Sequence, residues 1–358
     1  MKQLTIMDKG FLLAESREVP MHVGGVALYT VPEGVDTAEF LHGMADNLRD
    51  ATEFLPPFGD RLKTGRLGLA GPTYWEPDPS LDLDYHIRHS ALPQPGRYRE
   101  LFTLVSRLHA TLLDRNRPLW EMHLIEGLPN RQFAAYTKTH HAAVDGARSV
   151  HIARSMLSAD PDHRLPDSPL SLDSWKRYRA GLKRGGAGAP SDGQLRNVVE
   201  ALKASYDSGA QLYGVARRIT RAWTGDDNLL LPFLKVPTSS LNTSVDGARR
   251  FVAQSWPFDR IKAVAKAFDG TFNDAVLAMC GGALRTYLQN HAELPEESLK
   301  AMVPVSVRAE GDVDSSNAVA AINADLGTNI QDPSRRFAAI RESTLAGKSL
   351  YADLSPGE

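Results

Sequence analysis

The sequence predicts an α/β protein. Three observations lead there. Strand-like and helix-like segments alternate through the first half of the chain. The alternation resumes beyond about residue 240, after a shift in composition. A length of 358 residues suits two domains, each able to bury a core of its own.

The elements follow in order. "GGVALYTV" (24–31) reads as a strand, and "DTAEFLHGMADNLRD" (36–50) as a helix opening at an Asp or Thr cap. "GRYRELFTLVSRLHATLLDR" (96–115) spaces apolar residues at three- and four-residue steps and predicts a second helix. "LWEMHLIEGL" (119–128) and "RQFAAYTKTHH" (131–141) read as two strands joined by a Gly-Leu-Pro-Asn turn. "GARSVHIARSMLS" (146–158) predicts the helix after them.

Composition then shifts. "WKRYRAGLKRGGAGAPSDG" (175–193) is basic, rich in glycine and without sustained period, so it reads as a linker. A helical stretch is expected from about Gln194 to Trp223. Two readings of the basic run stay open. One is a solvated connector. The other is a peripheral membrane contact through Lys176, Arg177, Arg179, Lys183 and Arg184 beside Trp175 and Tyr178. Further on, "RRFVAQSWPF" and "SLKAMVPVSV" predict strands, and "FNDAVLAMCGGALRTYLQNH" predicts a helix with Cys280 in the core. The expected domains are 1–172, a basic glycine-rich linker and crossover helix over 173–240, and a second α/β domain over 241–358.

Composition also excludes some classes. A net charge of −2 gives no electrostatic reason for a nucleic-acid partner. One cysteine cannot form an intrachain disulfide, so an oxidising compartment is not implied. "MKQLTIMDKGFLLAES" does not read as a signal peptide. No apolar run approaches the ~20 residues that span a bilayer. A soluble, cytoplasmic protein is expected, with loose membrane association left open.

"KTHHAAVDGARSV" (138–150) is where the chemistry concentrates. Successive side chains of a strand point to opposite faces, so only one of His140 and His141 can enter a given cleft. That argues against a metal chelated by both, and no further ligands stand at familiar spacing. A neutral imidazole can instead take a proton from a hydroxyl or an amine. Gly146 lets the chain turn off the strand, and Asp145 can brace that loop. A general base and a structural histidine pair both remain open on spacing alone. No G-x-S-x-G elbow is present, "LAGKS" (345–349) lacks the first glycine of a phosphate loop, and no G-x-G-x-x-G follows a strand. A base that activates an external acceptor for direct transfer is the simplest chemistry left.

"HHAAVDG" matches the H-H-x-x-x-D-G signature of the CoA-dependent acyltransferase superfamily, which includes chloramphenicol acetyltransferases and peptide-synthetase condensation domains. Four flanking segments narrow the resemblance: "MDKGFLLAESREVPMHVGGVALY", "LDLDYHIRHSALPQPG", "LLDRNRPLWEMHLIEGL" and "LNTSVDGARRFV". Together they resemble the bacterial wax ester synthase/diacylglycerol acyltransferase family, from about Leu4 to the end of the chain. The resemblance implies two related chloramphenicol-acetyltransferase-like domains with mixed sheets, a helical crossover linker and an active-site tunnel between them. It implies His141 as the base for a fatty alcohol or diacylglycerol hydroxyl attacking an acyl-CoA thioester, with no acyl-enzyme. His140 would support it, Asp145 would hold the loop, and Gly146 would make the turn.

Asn273 and Asp274 resemble the family's Asn-Asp pair, whose asparagine would polarise or position reactants. Pro118, Leu119 and Trp120 match another family motif, with scaffold packing as its plain role. Arg61 is the candidate ion-pair partner of Asp145. A backbone N–H near Gly146 and the Asn273 amide are candidate oxyanion donors. "PVSVR" (304–308) and Asn317 also fit, with no chemistry assigned. Acyl-CoA is the co-substrate implied, with no metal and no other cofactor. Lipid acceptors would give the basic run a place at the inner membrane or the surface of lipid inclusions. The family's Asn-Val-Pro-Gly-Pro segment does not occur here, so the second domain is expected to be cut short. The rival readings are an amide- or ester-forming condensation domain, a metal-dependent hydrolase and a non-catalytic lipid-binding protein.

Overall fold

The computed structural model describes residues 1–144, 146–160, 163, 165–184, 236–306 and 319–352. These residues form two compact units. The first unit carries two sheets. In the smaller, β1 (Lys2–Gln3), β4 (Gly68–Pro77) and β3 (Asp60–Gly65) pair antiparallel in the order β1-β4-β3. The larger is mixed, in the order β2 (His22–Thr30), β7 (Gln132–His140), β6 (Trp120–Glu126) and β5 (Ile87–Ala91). Only β5–β6 is parallel, and β2 lies against β7 in a register that sets His22 opposite His140.

Helices cover both faces of the larger sheet, which is why β6 is buried nearly throughout. On one face Trp120, Met122 and Leu124 meet Leu41, Ala45 and Leu48 of α2 (Thr37–Arg49) and Ile152 of α5 (Gly146–Ser155). On the other, Ile125, Ala134 and Tyr136 meet Leu101 and Val105 of α4 (Tyr98–Ala110). A further helix, α1 (Ile6–Ala14), opens with a Thr5–Asp8 capping box and buries Leu12 beside Leu4, Trp75 and Leu119. The turn α3 (Leu83–His86) leads into β5.

Among the described residues, the second unit has α7 (Phe258–Ala267), α8 (Phe272–Asn290), the antiparallel pair β8 (Lys300–Ser306) and β9 (Val319–Asp325), and α9 (Pro333–Ala352). Its core gathers Leu277, Leu288, Leu299, Ala324, Leu326 and Ile340. Gly281 lets α8 come down on the chain after β9: a Cβ there would stand 2.1 Å from the Leu326 carbonyl oxygen. No described helix is long and apolar enough to cross a membrane.

Four expectations change. The basic run does not begin as a linker, because α6 (Leu172–Arg184) is helical. Trp175 is 3% exposed in the core and stacks on the partly buried Tyr178, so the Trp175 ring is not presented at the surface, while Lys176 and Arg177 pair with Asp173 and Asp167. The helix predicted over 96–115 stops at Ala110, where the Asp114 carboxylate takes the Asn116 N–H in a turn. "RRFVAQSWPF" forms no strand. Its first part, through Ala253, lies with the first unit, where the Phe251 N–H donates to Ser106 Oγ at 2.8 Å and the Phe251 ring meets Phe102 edge-on, and its last residue, Phe258, opens α7 of the second unit. Cys280 is exposed, since α8 buries the stripe Asp274, Leu277, Gly281 and Leu288 and leaves Met279 and Cys280 outside it. The helix expected over 194–223 lies outside the described residues.

Candidate active site

The histidine pair sits where β7 runs out. Tyr136, Lys138 and His140 alternate along the strand and are buried. The His140 N–H donates to the Leu119 carbonyl at 3.0 Å, and the His141 N–H to the Met21 carbonyl at 2.8 Å. The chain then turns at once: the N–H groups of Ala143 and Val144 both reach the His140 carbonyl, at 2.9 and 3.3 Å.

His140 is fully buried, and its ring is committed. Nδ1 accepts the Ala142 N–H at 3.0 Å, so a neutral ring carries its proton on Nε2. Nε2 lies 3.4 Å from Glu15 Oε1. Glu15, at the C-terminal end of α1, is itself 2% exposed in its side chain and has two further donors. The Met21 N–H meets Oε1 at 3.0 Å, and Arg115 Nη2 meets Oε2 at 3.0 Å. Burial pushes this carboxyl up, but the nearby His140 ring and the hydrogen bonds from Met21 and Arg115 outweigh it and hold the pKa at about 2.

His141 is placed differently. It is half-buried, and its ring stacks on Phe11 of α1 with centroids 4.2 Å apart and planes 19° from parallel. One helix therefore touches both imidazoles, through Phe11 on one and Glu15 on the other. Behind them is a buried polar layer. Lys138 donates to the carbonyls of Leu108 and Thr111 at 3.0 and 2.9 Å, which ties off the end of α4, and lies 3.4 Å from Glu121. His22 Nε2 donates to the His109 carbonyl at 2.7 Å, and burial pushes its pKa down to about 4.

The other expected residues separate by role. Pro118, Leu119 and Trp120 are buried; Trp120 Nε1 donates to the Phe58 carbonyl at 3.0 Å, and its ring stacks on His86. Leu119 also supplies the carbonyl that holds His140. Gly146 opens α5, and Asp145 lies outside the described residues, as do Arg308 and Asn317. Arg61 is 3.3 Å from Glu76 and 3.8 Å from Asp78, the ion pairs described for it. In the second unit, Asn273 is exposed in the first turn of α8. Asp274 is buried; its Oδ2 takes the Thr271 N–H and hydroxyl, each at 2.8 Å, and its Oδ1 takes the Thr344 hydroxyl from α9 at 2.8 Å. Among the described residues, no three His, Cys, Asp or Glu side chains are grouped to hold a metal ion.

Residue-level reading of the sequence missed Glu15, Arg115 and Phe11. A signal for Glu15 was present, since it continues the buried stripe of Asp8 and Leu12 at helical spacing. An acid on an apolar stripe is an acid with buried partners.

Comparison with known proteins gives the class first. The first condensation domain of the CDA synthetase shares the fold, with a TM-score of 0.54 over 96% of this chain and 74% of that one, at 15% identity. The catalytic-domain model of the wax ester synthase/diacylglycerol acyltransferase family matches residues 4–276. The wax ester synthase/diacylglycerol acyltransferase of Marinobacter aquaeolei VT8 superposes with a TM-score of 0.69 at 37% identity, covering 97% of this chain and 72% of that one. A Mycobacterium tuberculosis protein named as a probable diacylglycerol O-acyltransferase is 43% identical over 348 residues, 97% of this chain and 74% of the relative. The O-acyltransferase WSD of Acinetobacter baylyi is 36% identical over 352 residues, 98% and 73% respectively. The chain belongs to the wax ester synthase/diacylglycerol acyltransferase family. It is an acyltransferase, with an acyl donor and an acceptor as substrates.

Proposed function

We propose that the chain moves a long-chain acyl group from acyl-CoA to the hydroxyl of a fatty alcohol or a diacylglycerol, with His141 as the general base. The observation that carries this reading is the division of labour within the pair. His140 is fully buried, with one ring nitrogen accepting a backbone N–H and the other against Glu15. His141 is half-buried, and because its Nδ1 is enclosed, Nε2 is the nitrogen that meets the acceptor.

In this mechanism Nε2 takes the hydroxyl proton as the oxygen attacks the thioester carbonyl carbon. The tetrahedral intermediate collapses, the carbon–sulfur bond breaks, and the imidazolium returns its proton to the leaving thiolate. The products are an ester and CoA. No acyl-enzyme forms. Base catalysis supplies about 10²–10⁴-fold, and positioning with oxyanion stabilisation supplies the rest. Asp274 is assigned to scaffold support, and Asn273 to contact with reactants.

The test is CoA release from palmitoyl-CoA with hexadecanol, with diacylglycerol or with no acceptor, for the wild type and His141→Ala. Acceptor-dependent release that falls by about 10²-fold or more in a folded His141→Ala is expected. Release that survives the substitution refutes the assignment. A protein that ignores hydroxyls and acylates an amine supports a condensation-type reaction instead.

A further inference from the structure

We propose that Glu15 is a positioning residue for the histidine pair, acting through His140 and Met21 on the base His141. The inference rests on the assignment of His141 above. Glu15 closes α1, and its carboxylate gathers three parts of the chain that are remote in sequence. Oε1 receives the Met21 N–H at 3.0 Å and faces His140 Nε2 at 3.4 Å, while Oε2 receives Arg115 Nη2 at 3.0 Å. The same Arg115 nitrogen donates to the Leu12 carbonyl at 2.7 Å, which locks the last turn of α1 against the segment before β6.

Each contact leads to the base. Met21, held by its N–H, presents the carbonyl that fixes the His141 N–H at 2.8 Å. His140, facing the carboxylate through Nε2, keeps Nδ1 free to accept the Ala142 N–H, and that bond shapes the turn on which His141 sits. One helical turn before Glu15, Phe11 stacks on the His141 ring. A shift of α1 therefore moves the backbone and the ring of His141 together. The Arg115 guanidinium offsets the carboxylate's charge, so the role is geometric more than electrostatic. Because the carboxylate lies against His140 and not His141, it is not a second base of a catalytic triad.

Glu15→Gln keeps the volume but places an amide N–H₂ where one of the three donors now points. A misplaced base costs up to ~10²-fold, so kcat is expected to fall by about 10- to 100-fold, with KM for palmitoyl-CoA and hexadecanol within a factor of about three. Imidazole ¹⁵N spectra are expected to show a single Nε2–H tautomer for His140 in the wild type and a mixture in the variant. In a His141→Ala background, Glu15→Gln is expected to cost nothing further. A folded Glu15→Gln with unchanged kcat overturns the proposal, as does a full, independent loss in the double variant. If Glu15→Gln does not fold, Arg115→Gln replaces it: unchanged kcat there overturns the proposal, and a fall in kcat at constant KM supports it. If His141→Ala alone stays active, the base assignment fails by itself. The His140 tautomer then decides Glu15, a mixture supporting its orienting role and a single unchanged tautomer overturning it.

Discussion

Replacing the two adjacent histidines one at a time is expected to separate stability from turnover. In His140→Ala, the Ala142 N–H loses its acceptor inside the protein, which costs about 1–3 kcal/mol. The emptied imidazole site adds a cavity cost of about 1–2 kcal/mol. Glu15 keeps Met21 and Arg115 but loses its third contact. The total is about 3 kcal/mol, enough to lower the midpoint of the first urea transition by roughly 1 M or more. In His141→Ala the ring is half-buried, and the lost stack on Phe11 is worth about 1 kcal/mol. That variant should unfold closer to the wild type, yet lose about 10²–10⁴-fold in acceptor-dependent CoA release. The assay is urea unfolding followed by tryptophan fluorescence, together with turnover measured where each variant is still folded. The reasoning is refuted if His140→Ala is as stable as the wild type, or if His141→Ala is the less stable of the two.

Three other outcomes are expected. Gly281→Ala and Gly282→Ala should have opposite signs in thermal unfolding. A Cβ at 281 meets the Leu326 carbonyl oxygen at 2.1 Å and costs about 1–3 kcal/mol, whereas at 282 it meets only Arg336 at 3.5 Å and gains up to ~1 kcal/mol of helix propensity. Acid should destabilise the first unit in two windows. The folded pKa of His22, about 4, lies below its ordinary 6.5, so acidification through that interval favours the unfolded chain by up to about 3 kcal/mol. Glu15, at about 2 against 4.5, loses a similar up to ~3 kcal/mol as pH falls through the lower interval. Urea titrations at stepped pH check both, and His22→Asn should shrink the upper window, leaving the part due to His86 and His109, whose pKa values burial also lowers. Finally, Asp274→Ala should cost about 2–3 kcal/mol through its lost bonds to Thr271 and Thr344, while Asn273→Ala at an exposed site should change stability by less than ~0.5 kcal/mol. Turnover by Asn273→Ala then isolates any chemical role of that amide.

What the sequence disclosed depended on whether its periodicity met a regular lattice. β7 was legible because strand-like composition runs from Gln132 to His140, whereas His141 falls in the turn just past the strand's end, where alternation no longer places a side chain. Trp175 was misread because lysines and arginines surround it, and a local charge count hides a single large apolar side chain turned inward. The stretch around Phe251 has strand composition, but its backbone bonds to a serine on α4, a tertiary choice with no local signature. The Glu15 contacts escaped because they join residues 15, 21, 115 and 140, which only the folded chain brings together.

The pairing of His22 with His140 also has a consequence for synthesis. A ribosome extends the chain at about 5–20 residues per second, so β2 emerges on the order of ten seconds before the strand it will join. During that interval "HVGGVALYT" is an unpaired, β-prone edge. The adjacent Gly24 and Gly25 make it a poor template for a neighbouring nascent chain, since glycine weakens a strand that has no partner to hold it. Once β7 arrives, the full ladder from His22 to Thr30 forms.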